Sequence, residues 1–129
     1  MKKSFTLLEM LIVLGIIATI LSVLAVSFTT TQKKSRDAKR RGDIKALQNG
    51  LEQYYSVCHY VYPTSTSEES LDDSITCEAE DAVIIPVVPK DPKTGESYTY
   101  SSDDGATFSL CTDSIESDAV TRFCVQNQQ

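Results

Sequence analysis

Histidine is almost missing from this chain, which has one, His59, in 129 residues. There is no second imidazole, no Cys-x-x-Cys spacing, no glycine-rich phosphate loop and no residue pair that reads as nucleophile and base. The chain therefore lacks the usual means of a metalloenzyme, a hydrolase or a nucleotide-binding enzyme. His59 alone suits loop packing, and no enzymatic activity is expected. Proline is also absent from the first 62 residues, since the four prolines stand at 63, 86, 89 and 92. Nothing there forces a helix to stop. Basic residues are scarce after position 46: three Lys or Arg face fifteen acids, whereas residues 1–46 carry nine against three. A nucleic-acid binder spreads its cations over a folded face. Here they crowd into Lys33, Lys34, Arg36, Lys39, Arg40, Arg41 and Lys45, and no specific nucleic-acid partner is expected.

Charge is absent altogether from Met10 to Phe28. A helix of those residues and the turn before them is long enough to cross a hydrocarbon layer of about 30 Å, so a membrane-anchored stage is expected. Glu9 opens this run. An uncompensated carboxylate there costs on the order of a few kcal/mol, and no Lys or Arg lies within reach inside the run. If the chain were cut between Ser4 and Phe5, the new α-amino group of Phe5 would supply a cation, and in neighbouring copies shifted along the axis it would meet Glu9. Two plainer readings stay open. One is a secretory signal peptide, with Ala18, Ser22 and Ala25 mimicking a cleavage site. The other is a simple single-pass anchor, which explains the length but not Glu9.

The run Lys2-Lys3-Ser4-Phe5-Thr6-Leu7-Leu8-Glu9-Met10-Leu11-Ile12-Val13-Leu14 resembles the processing site of type IV pilins and of the pseudopilins of type II secretion and DNA-uptake machines. The resemblance implies removal of a short basic leader before Phe5, often with N-methylation of the new terminus, and a glutamate as fifth mature residue, here Glu9. The family usually has glycine before the cut where this chain has Ser4. The later order Pro89-Lys90-Asp91-Pro92, Gly95, Tyr98-Thr99-Tyr100 and Asp104-Gly105 also resembles the C-terminal half of small pilins and major pseudopilins. In the latter, loops after this hairpin often hold calcium, and the carboxylates here are Asp103, Asp104, Asp113, Glu116 and Asp118. Their spacing is not that of an EF-hand.

Ile44, Leu47, Leu51 and Tyr54 recur at helical spacing with Lys45, Gln48, Asn49 and Glu52 between them. One continuous helix from Phe5 to about Ser56 is predicted, roughly 75 Å long, with Gly15 and Gly42 as its weak points. The family often has a helix-loosening proline in the region that here reads Val23-Leu24-Ala25-Val26. Beyond the helix, Thr64–Ser70 reads as a polar loop, and Val83–Val88, split by Pro86, suits an edge segment. Strands are expected around Tyr98 and Tyr100, at Phe108–Cys111 and at Thr121–Val125. The fold class is α+β, a long helix packed on a small antiparallel sheet of about three strands.

Four cysteines, Cys58, Cys77, Cys111 and Cys124, lie in the small second part and read as two disulfides in an oxidising exterior. The most local of the three connectivities pairs Cys58 with Cys77 and Cys111 with Cys124. The basic cluster argues the other way, because a count of flanking cations puts that end of the segment in the cytoplasm. We follow the cysteines. The expected organisation is a leader (1–4), an apolar membrane or filament-core helix (5–28), its amphipathic continuation (29–57) and a disulfide-stapled sheet domain (58–129).

The function expected from these readings is that of a pilin, inserted in the cytoplasmic membrane and then polymerised into an extracellular filament. Its partners would be other copies of itself in a helical homopolymer, the prepilin peptidase and an inner-membrane assembly platform. A pseudopilin of a secretion or competence machine and a membrane-tethered binding domain that never polymerises are the alternatives.

Overall fold

A computed structural model describes residues 5–71 and 73–128. The cleavage-site residue Ser4 and the rest of the leader lie outside the described residues.

Helix α1 runs Leu7–Val57, 51 residues, with Thr6 as its N-cap. It has two straight limbs, Leu7–Val23 and Phe28–Val57, whose axes differ by 43°. The bend does not fall at Gly15 or Gly42. It follows two hydroxyls that bond backward along the helix, Thr19 to the Ile16 carbonyl at 2.7 Å and Ser22 to the Thr19 carbonyl at 2.8 Å. Such back-bonding commonly bends helices.

The chain leaves the helix through Cys58, whose N–H donates to the Tyr54 carbonyl. Two left-handed residues follow, His59 (φ 58) and Tyr60 (φ 61). Tyr60 packs edge-on against Tyr55, ring centroids 5.6 Å apart. His59 is loop-placed and exposed.

Six strands follow: β1 Ser65–Ser70, β2 Ile75–Cys77, β3 Ala82–Ile85, β4 Thr99–Ser102, β5 Ser109–Thr112 and β6 Phe123–Gln126. Strands β1, β4, β5 and β6 form an antiparallel sheet in the order β1-β4-β5-β6, while β2 and β3 form a separate hairpin. The class is α+β as expected. The sheet, however, has four strands rather than about three, with a second small one beside it. The extra strand is β1, the stretch expected to be a polar loop. It is extended because it pairs with the open edge of β4, with an irregularity between Ser65 and Glu69. Strand β3 ends just before Pro86, whose ring cannot donate to a ladder, and its one partner is β2.

The core lies between the second limb and the four-stranded sheet. Ile44, Leu47 and Leu51 are buried there with Tyr62, Tyr98, Tyr100, Phe108 and Leu110. The buried positions on either side of β4 alternate as the sequence implies, Tyr98, Tyr100 and Ser102 inward, Thr99 and Ser101 half-buried. Gly50 lets β3 come close: a Cβ there would lie 2.3 Å from Ile85 Cδ1. Gly105, at φ +71, ends the turn after β4 and accepts a 2.8 Å bond from the Tyr62 N–H. Disulfides join Cys58 to Cys77 and Cys111 to Cys124. The first ties the end of α1 to β2, and the second bridges directly opposed residues of β5 and β6.

Candidate functional site

The two limbs of α1 are dressed differently. In the first, every residue from Phe5 to Val23 is exposed, including Leu8, Leu11, Leu14, Ile17 and Ile20. In the second, one stripe is buried on the sheet. Among the described residues no single helix is long and apolar enough to cross a membrane, but the two limbs together meet the requirement by length and composition.

At the tip, Phe5 is 71 % exposed and Thr6 caps the helix, its Oγ1 accepting from the Glu9 N–H at 3.2 Å. Glu9 is thus the third residue of the helix, in a Thr-x-x-Glu arrangement whose carboxylate also sits favourably near the helix N-terminus. Sequence reasoning sought a partner cation for Glu9 and passed over this local role, although the capping pattern was in plain view.

The second limb is fastened to the sheet domain by a buried ionic cluster. Arg40 is 0 % exposed. It reaches Asp91 with two prongs, Nε to Oδ2 at 2.6 Å and Nη2 to Oδ1 at 3.1 Å. Its Nη1 donates to Asp37 at 2.7 Å and to Glu116 at 3.0 Å. Glu116 takes a second fork from Arg36, at 2.8 and 2.7 Å, and a 3.2 Å contact from Lys93. Three cations therefore meet three carboxylates, and the cluster is neutral.

Each carboxylate is also set by backbone. The Asp91 Oδ1 accepts from the N–H groups of Lys93 and Thr94 in the turn after Pro89, which aims the side chain at the helix. Asp37 accepts from the N–H groups of Glu116 and Ser117, so the helix captures the β5–β6 connection. The Arg40 guanidinium and the turn N–H groups hold the Asp91 carboxyl down to about 2, against the effect of burial. Arg36, then Arg40 and Lys93, hold Glu116 well below the usual carboxylate range. Burial pushes Asp37 up, but bonds from Ser117, Glu116 and Arg40 more than offset it.

Beside the cluster, Arg41 pairs with Asp118 and lies 4.9 Å over the Phe123 ring, and Lys45 donates to Gln48. The basic run of the sequence is thus largely part of the folded domain. The signal for it was spacing: Asp37, Arg40, Ile44, Leu47 and Leu51 form one stripe at helical period, and Arg40 occupies a core position of that stripe.

The carboxylates read as calcium candidates do not converge. Glu116 is taken up by Arg36, Arg40 and Lys93, Asp118 by Arg41, and Asp113 by Arg122 at 3.3 Å. Asp104 accepts from the Ala106 and Thr107 N–H groups of its own turn, and Asp103 is exposed beside it. Among the described residues no group of three or more His, Cys, Asp or Glu is placed to hold a metal ion. Chemically, the arrangement fixes a rigid domain to one end of a helix and leaves the other end bare and apolar.

No protein-family model matches the chain, and neither a curated protein nor a solved structure matches it.

Proposed function

We propose that this chain is the subunit of a type IV pilin-like filament, held in the cytoplasmic membrane by its first limb and then packed through that limb against other copies in a fibre exposed at the cell surface. One observation carries the reading: the limb from Phe5 to Val23 is exposed along its whole length, while the helix from Arg36 onward is fastened to a stapled domain. So much apolar surface must be covered by lipid or by protein, since contiguous apolar patches on soluble monomers rarely exceed a few hundred Å². Apart from Glu9, Thr19 and Ser22 the limb is apolar on all sides, which suits first a lipid surround and then a bundle of like helices.

The cleavage between Ser4 and Phe5 and the pairing of the Phe5 amine with Glu9 of an adjoining copy belong to the same proposal. The pilin reading is preferred to the pseudopilin one because three of the five carboxylates on which calcium binding would draw, Asp113, Glu116 and Asp118, are paired with arginines. The test is intact mass spectrometry of the chain from membranes and from sheared surface material. A mature chain beginning at Phe5 and recovered in fibres is the expected result. A chain that keeps Met1–Ser4 and is found in membranes alone would overturn the proposal.

A further inference from the structure

Of the seven basic residues between positions 33 and 45, three are drawn onto carboxylates of the domain, Arg36, Arg40 and Arg41, while Lys45, itself exposed, is bonded to Gln48 one turn further along the same helix. The other three, Lys33, Lys34 and Lys39, are exposed and form no ion pair with any described residue. They follow directly on the apolar run that ends at Phe28. At 1.5 Å per residue, Lys33 and Lys34 stand about 8 and 9 Å beyond Phe28 along the axis, and Lys39 about 16 Å. Their directions differ as well: from Lys33, Lys34 lies about 100° round the helix and Lys39 about 240°.

We propose that Lys33, Lys34 and Lys39 form a collar that binds the anionic headgroups of the membrane in which the first limb is inserted. The inference rests on the membrane step of the proposed function and gives that step its lipid class. Three observations favour lipid over a neighbouring protein. The lysines encircle the helix, so a flat partner would reach only some of them, whereas a membrane surrounds all. None of the described residues pairs with them, although residues 47–129 carry fifteen acids. Their height above the apolar run matches a headgroup layer for Lys33 and Lys34, whereas Lys39 lies about two Debye lengths out, near 8 Å each at physiological salt, and is largely screened. Lysine suits the task, because its long stem lies along apolar surface while the ammonium stays at the interface.

Near an anionic surface each such lysine strengthens association by about fivefold, so Lys33 and Lys34 together give roughly 25-fold, and Lys39, further out, adds little. The full chain, diluted from mild detergent, is floated with vesicles of phosphatidylcholine alone and with vesicles that also carry phosphatidylglycerol. Insertion of the limb predicts flotation with both, and the collar predicts a further gain of tenfold or more with the anionic vesicles that is lost at high salt and in the variant Lys33→Gln/Lys34→Gln/Lys39→Gln. The thermal unfolding of the variant is followed alongside and should match that of the parent chain, as the three residues are exposed. Equal flotation with both vesicles overturns the collar and leaves the membrane step standing, whereas flotation with neither overturns both. An anionic gain that survives in the triple variant overturns the assignment to these lysines. Salt-sensitive self-association in neutral micelles, abolished by the triple variant, would assign them to a second copy and overturn the lipid proposal.

Discussion

Arg40 and Asp91, 51 positions apart in the chain, meet through two parallel N–H to oxygen bonds of 2.6 and 3.1 Å with both side chains buried. This pair decides where the helix stops being a free rod and becomes part of a domain. The forked geometry fixes rotation and axial position of α1 together, because the carboxylate is itself oriented by the Lys93 and Thr94 N–H groups that bond its Oδ1.

Breaking the pair from one side leaves an uncompensated buried charge. Arg40→Met should destabilise the domain by about 3–5 kcal/mol, and Arg40→Lys should recover only part of the loss, because an ammonium cannot make the fork. The double change Arg40→Met with Asp91→Leu should cost less than the sum of the single changes. Urea unfolding of the four proteins provides the check, and strict additivity would remove the pair from the account.

Acid should loosen the same joint. The folded carboxyl of Asp91 titrates at about 2, against about 3.9 in an unfolded chain, so the unfolded state takes up protons first as pH falls. The stabilisation is complete above the ordinary carboxylate range and is lost as pH drops from about 4 through 2, amounting for Asp91 to about 2–3 kcal/mol. Glu116 and Asp37, held low by their own partners, act in the same direction. Stability measured against pH should fall over that window, and Asp91→Asn should flatten the fall.

The two disulfides close short segments of 19 and 13 residues. In the loop-entropy description each adds about 3 kcal/mol, a large share of the stability of a domain this small. Replacing either pair by serine should lower the midpoint of unfolding, and loss of Cys58–Cys77 should also expose the segment after α1 to proteases.

Gly50 stands where α1 meets β3. A Cβ there would press on Ile85 Cδ1 and Cγ1, at 2.3 and 2.7 Å. Gly50→Val should be destabilising by about 1–3 kcal/mol through overpacking, and Ile85→Ala in the same chain should relieve part of it. Thermal unfolding of the two variants is the measurement.

Where one physical cause dominated, the sequence was readable. Ile44, Leu47 and Leu51 kept their period because burial on a sheet needs one helix face, and Tyr98 and Tyr100 kept theirs because strand β4 has one core face. Strand β1 was not readable, since a run of Ser, Thr and Glu becomes extended through pairing with β4, which leaves no local pattern. Arg40 was hidden by its neighbours: a run of seven cations looks solvated, and only its position on the stripe with Ile44 marked it as interior. Thr6 and Glu9 could have been read as a cap, but the search for a long-range partner displaced the nearer one.

The central claim is that the bare limb of one copy packs against the limbs of others. A photo-crosslinking residue in place of Leu14, whose side chain is 65 % exposed, tests it in sheared surface material. The account predicts a ladder of crosslinked species at multiples of the chain mass, joined limb to limb. Adducts with lipid alone, at monomer mass in every fraction, would contradict it.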